Sequence, residues 1–123
     1  MIEPMTKPMK LHQWNQIPKE QMSPVFVRQV IHAETMTVAR LVISKGCIVP
    51  EHSHPNEQLS YVEKGSLLFR IGGEELMVKA GEVVQIPPHV LHSAEALEDM
   101  EGMDFFSPPR QDWISGDDAY LRK

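Results

Sequence analysis

The chain has 123 residues, 41 % of them hydrophobic, and its 12 Lys and Arg against 17 Asp and Glu leave a formal net charge of −5 at pH 7. That length makes one domain with a real core and little room for a second. An acidic chain without a basic run does not suit a phosphate backbone, which sets nucleic acid aside as a partner.

No apolar run approaches a membrane span, and the opening MIEPMTKPMK holds no hydrophobic export segment, so the chain reads as cytoplasmic, with no membrane association. Residues 1–24 read as a leader, frayed over the first ten residues, followed by a segment that packs on the main body, with Trp14 as its anchor. His12 lies in that polar segment, and His32 falls in an expected turn as a solvated residue. From residue 25 the chain becomes a succession of short runs rich in β-branched and large apolar residues, first 25–30 and then 36–44. Cys47 is the single cysteine, which allows no internal disulfide and reads as a small packed apolar side chain.

The next stretch, GCIVPEHSHPNEQLSYVEKG, spans residues 46–65 and carries the most chemistry. His52 and His54 are two apart, and in a strand that spacing turns both rings to one face. Gln58 adds an amide oxygen where a turn could bring the next strand back. Two nitrogens and an oxygen converging from neighbouring strands form a divalent metal site that wants one more ligand. His92, in the run GEVVQIPPHVLH, is the candidate for it.

Strands are expected over 59–62, 67–71 and 75–78, the last two joined by Gly72-Gly73, whose positive φ values suit a tight hairpin. A further strand at 83–86 runs into Pro87-Pro88, which bends the chain into a strand at 90–94, and the last strand covers 102–106. No amphipathic helix is expected between 25 and 106, and the regular turn signals mark an all-β sandwich or barrel. The tail, 107–123, holds Trp113, Ile114, Tyr120 and Leu121, too apolar for a free end and expected to pack on the barrel or on a partner subunit, with Ser115-Gly116-Asp117-Asp118 placed to cap a short final helix. Trp14, Trp113 and Tyr120, on peripheral segments, predict a homodimer interface.

Near the end, MDFFSPPR sets Asp104 and Phe106 on one strand face and Arg110 just past a rigid Pro-Pro corner. An Asp beside a metal can serve as general acid or base, and Arg is shaped to bind a carboxylate with two hydrogen bonds. The same spacing also allows an Asp104–Arg110 ion pair that pins the tail, with Phe106 in the core.

The two histidine-bearing stretches resemble the motifs of the cupins. Gly46, His52, His54, Gln58 and Gly65 match the first motif, with Gln58 where most members carry Glu. Gly81, Pro87 and His92 match the second, with His89 in place of a Gly and Ala96 in place of an Asn. The resemblance implies a double-stranded β-helix, the cupin jelly-roll barrel, over 25–106, and one divalent transition metal (zinc, nickel, iron or manganese) on His52, His54, Gln58 and His92. Together with DFFSPPRQDW, the motifs are similar to those of the small pectin-degradation cupins. That resemblance implies a metal-dependent enzyme that opens the ring of 4,5-unsaturated uronates to 5-keto-4-deoxyuronates. Asp104, Phe106 and Arg110 would be its catalytic residues, an anionic sugar its substrate, and a homodimer its assembly. An iron or nickel cupin dioxygenase, and a non-catalytic cupin that binds a sugar or effector, are the alternatives.

Overall fold

The computed structural model describes residues 8–122, so residues 1–7 of the expected leader lie outside them. Ten strands follow in order: β1 (Glu20–Ser23), β2 (Phe26–His32), β3 (Thr37–Ile43), β4 (Ile48–His52), β5 (Glu57–Lys64), β6 (Ser66–Ile71), β7 (Glu74–Lys79), β8 (Val83–Ile86), β9 (His92–Glu95) and β10 (Met100–Ser107). They form two antiparallel sheets, one ordered β1-β2-β3-β10-β5-β8 and the other β4-β9-β6-β7. This is the all-β jelly roll. No helix among the described residues is long and apolar enough to cross a membrane.

Strand alternation decides what fills the space between the sheets. In β3, Thr37, Ala39, Leu41 and Ile43 are buried, and in β5 Gln58, Ser60 and Val62 are buried between exposed or half-exposed neighbours. Phe26, Leu67, Phe69, Val78, Val84, Ile86 and Met100 complete the apolar filling. Each such Leu, Val or Phe contributes roughly 1.5–3 kcal/mol by leaving water. Cys47 belongs to this filling, and burial pushes its thiol pKa up. Gly65 sits at φ 78°, and a Cβ there would stand 2.2 Å from the Asp99 carbonyl oxygen. Only glycine allows β5 to turn into β6 against that backbone.

Several elements differ from the expectation. The sheet begins at β1, ahead of residue 25: Glu-Gln-Met-Ser has too little apolar content to signal a strand, yet it pairs with β2 at the sheet edge. His32 is the last residue of β2 instead of a turn residue, and its Nδ1 bonds the Thr37 hydroxyl at 2.9 Å. The bend after Pro87-Pro88 persists to residue 91, so the strand expected at 90–94 starts only at His92. Ser115 to Asp118 joins two short helical pieces: Ser115 closes α1 (Gln111–Ile114) with its backbone N–H, and Asp118 stands at the N-cap of a final 3-10 turn (Ala119–Leu121) without a side-chain cap bond.

The Asp118 carboxylate does other work. It accepts from Arg28 at 2.7 Å and from Arg122, and Arg28 also grips Glu20 through two nitrogens. Arg122 reaches Glu20 as well, at 3.3 Å, so the tail and the first strand are tied together. Trp113 is not peripheral: its ring lies 5.0 Å from Phe106 inside the barrel, with the Arg28 and Arg110 guanidinia each 4.3 Å from it. In the segment before β1, the Trp14 backbone carbonyl accepts from the side-chain amide of the buried Gln29 at 2.7 Å, while the Trp14 side chain is half-buried.

Candidate metal centre and its cavity

His52 and His92 are directly opposite one another across the β4–β9 pair, each at the end of its strand, with ring centroids 4.3 Å apart. His54 is placed differently from the reading by strand parity. β4 ends at His52, and His54 lies in the loop before β5, where its ring turns back to within 4.9 Å of His92. Gln58 comes from the facing sheet, on the inward side of β5. The ligand nitrogens of the three histidines lie within 4.8 Å of one another.

Backbone carbonyls set the tautomer of every ring. Nδ1 of His52 donates to the Pro50 carbonyl at 2.7 Å, that of His54 to Asn56 at 3.1 Å, and that of His92 to Val90 at 2.8 Å. Each Nε2 is thereby left with a bare lone pair. Nε2 of His92 is buried with no hydrogen-bond partner. Nε2 of His54 faces Oε1 of Gln58 at 3.0 Å. That oxygen is oriented by the other end of the amide, whose nitrogen donates to Ser60 Oγ at 2.9 Å and to Asp104 Oδ2 at 3.4 Å.

Burial pushes the pKa values of His52 and His54 down to about 4, and burial lowers that of His92 as well. At neutral pH no proton fills the gap between these lone pairs. Three imidazole nitrogens and an amide oxygen, all bare and convergent, fit a divalent transition metal.

Asp104 and Phe106 face Ser60 and Gln58 across the β10–β5 pair, so all four project from one sheet toward the histidines of the other. Burial raises the Asp104 pKa to about 6, a rise that the Ser60 hydroxyl bond and the positive Arg110 only partly offset. Arg110 is 1 % exposed and lies 4.7 Å from the Phe106 ring. The ion pair it makes is not with Asp104. Asp112, two residues on, takes its Nε at 2.9 Å and its Nη2 at 2.8 Å, and the Tyr120 hydroxyl accepts from Nη2 at 2.8 Å. The edge expected to grip a ligand with two bonds is therefore already occupied, and Nη1 is the nitrogen left for one.

Asp104, Phe106, Arg110, Trp113 and Tyr120 line the same cavity as His52, Gln58 and His92. Its space is about 540 Å³, mouth included. Tyr120 stands over His52, ring to ring at 5.0 Å. The tail thus forms one wall of the cavity, a place more specific than the packing on the barrel or a partner subunit expected from its apolar residues. Asn56 was also missed: its side chain donates to the Pro108 and Pro109 carbonyls, fixing the corner that leads to Arg110. His89 stays outside, exposed at the rim, its amide bonded to the His54 carbonyl at 2.8 Å.

A cupin domain family matches residues 39–106, more than half of the chain. The chain belongs to the cupin family. By sequence this cupin is 27 % identical over 103 residues to the pectin degradation protein KdgF of Dickeya dadantii (strain 3937), covering 81 % of this chain and 94 % of that protein. By structure it is similar to KdgF from Halomonas sp., with a TM-score of 0.79, 25 % identity, and coverage of 86 % of this chain and 99 % of that one. An RmlC-like cupin from Shewanella frigidimarina NCIMB 400 is comparable, with a TM-score of 0.79, 26 % identity, and coverage of 89 % and 99 %. Within the cupin motif, His89 stands at a Gly position with φ 66°, the left-handed conformation that glycine adopts without cost.

Proposed function

We propose that this cupin is a metal-dependent enzyme that opens the ring of 4,5-unsaturated uronates to give 5-keto-4-deoxyuronates. The observation that carries the reading is Asp104, a carboxyl with a pKa of about 6, on the same inward face as Gln58 and in one cavity with Arg110. Likeness to the KdgF proteins supports the substrate class.

His52, His54, His92 and Gln58 would hold the ion, which supplies positive charge undiminished by any anionic ligand and favours a negative oxygen nearby. Asp104 then does the proton work. Its carboxylate accepts the proton of the C1 hydroxyl as the C1–O5 bond breaks, and C1 becomes an aldehyde. The electron pair of that bond remains on O5. Protonation at C4 makes the C5–O5 unit a ketone, so the product is an isomer of the substrate. The proton taken from C1–OH is the one that C4 finally requires, and a carboxyl that titrates near neutrality can hold it in between. The Ser60 hydroxyl, accepting from Gln58, donates to Asp104 and keeps its orientation. Arg110 meets the substrate carboxylate through Nη1, and Phe106 shapes the wall beneath it.

The test is to mix the metal-loaded protein with 4,5-unsaturated galacturonate and follow the loss of its C4=C5 absorbance. The reading requires a rate above the spontaneous one. Equal rates with and without protein would overturn it.

A further inference from the structure

Arg110 presents an unusual balance at the cavity wall. Of its two outer nitrogens, Nη2 is shared between Asp112 Oδ2 and the Tyr120 hydroxyl, each at 2.8 Å. A carboxylate that approached the fork would find only Nη1 and would meet the Tyr120 oxygen beside it. That oxygen already accepts from Arg110, so its own hydrogen is left to donate. Tyr120 lines the cavity, and its ring over His52 fixes where the hydroxyl can reach. The indole nitrogen of Trp113, on the same wall, is buried with no hydrogen-bond partner, so this wall is short of acceptors.

We propose that Tyr120 is a specificity-determining residue: its hydroxyl donates to one oxygen of a sugar carboxylate while Arg110 Nη1 donates to the other. A two-point grip is thus restored by a residue of the tail, where Arg110 alone cannot supply it. The tail is held for this purpose by bonds that do not involve Tyr120, namely Asp118 to Arg28 and Arg122 to Glu20. The inference rests on the uronate reading above for its substrate class, but not on turnover.

The experiment uses zinc-loaded full-length protein, its Tyr120→Phe variant and an Arg122→Ala variant. Calorimetry measures the binding of galacturonate, which has the carboxylate and no C4=C5 bond, and of galactose, which lacks the carboxylate. Wild type should prefer galacturonate. Tyr120→Phe, which keeps the ring on His52, should weaken galacturonate binding about tenfold and leave galactose unchanged, as for one hydrogen bond to a charged group. Arg122→Ala loosens the tail without touching the hydroxyl and should preserve the preference. Equal galacturonate affinity in wild type and Tyr120→Phe overturns the inference, as does an Arg122→Ala variant that loses the preference equally. A wild type that binds galacturonate through Tyr120 yet never accelerates ring opening would sink the reaction proposed above and leave this inference standing.

Discussion

The amide oxygen of Gln58 and Nε2 of His54 face each other at 3.0 Å. Both are acceptors once the Asn56 carbonyl has claimed the other ring nitrogen of His54. Two buried lone pairs at that distance repel, and the contact is costly until a cation lies close to both.

The first prediction follows from that repulsion. Metal-free protein at pH 7 should gain stability when zinc is added in about hundredfold excess over its dissociation constant, by about 2.7 kcal/mol, or roughly 10 °C in melting temperature. His54→Ala and His92→Ala should abolish most of that gain. Scanning calorimetry with and without zinc checks it, and an unchanged wild-type melting temperature would rule the site out.

The second concerns acid. His52 and His54 titrate near 4 in the fold and near 6.5 when unfolded, so between these values the unfolded chain binds more protons. Their contribution to stability is complete above about pH 6.5 and is lost as the pH falls toward 4. Asp104 acts in the opposite sense, because its folded value of about 6 exceeds 3.8 and acid favours its folded form. Two histidines, with His92 shifted the same way, outweigh one carboxyl. Urea midpoints of metal-free protein should fall from pH 7 to 4.5, and Asp104→Asn should fall more steeply. A flat profile in both would contradict the burial of these groups.

The third separates chemistry from folding. Asp104→Asn keeps the shape of the side chain and removes its basicity, so ring opening should slow by roughly 10²–10⁴. Zinc content and melting temperature should stay near wild type. A parallel loss of bound zinc would make Asp104 a support for Gln58 and not a base.

The fourth concerns the tail. Asp118 and Arg28 are both almost fully buried, with side-chain exposures of 5 % and 3 %. Asp118→Asn leaves the Arg28 charge under-compensated and should destabilise the protein by about 3 kcal/mol. Arg122→Ala, on an exposed partner of the same carboxylate, should cost less than about 1 kcal/mol. Urea denaturation of the two variants gives the comparison, and equal losses would contradict it.

The cluster of candidate metal donors was legible because its spacing is local. Gly46 to Gly65 carries three of them on one loop and two strands, and Pro87-Pro88 marks the approach to the fourth. The geometric reason given for His52 and His54 was nevertheless incomplete. Strand parity does not unite them; the loop after His52 does, because the Asn56 carbonyl holds the His54 ring. The Arg28–Asp118 bond spans 90 residues, and no local pattern in either segment announces it. The same holds for Tyr120 over His52. Asp112 lies two residues from Arg110, but spacing alone does not say which of two nearby carboxylates, Asp104 or Asp112, the guanidinium takes.

Glu20 and Arg122 meet at 3.3 Å, although they open the first strand and close the last turn. The ring of covalent and ionic links is therefore nearly continuous, and the order in which the strands are synthesised is not what holds the cavity together. A short peptide joining residues 122 and 20, with new ends opened at the exposed Gly72-Gly73 hairpin, would give a circular permutant whose cavity wall is tethered by the backbone itself, though it would lose the Trp14 and Ile17 carbonyls that hold the buried Gln29 amide.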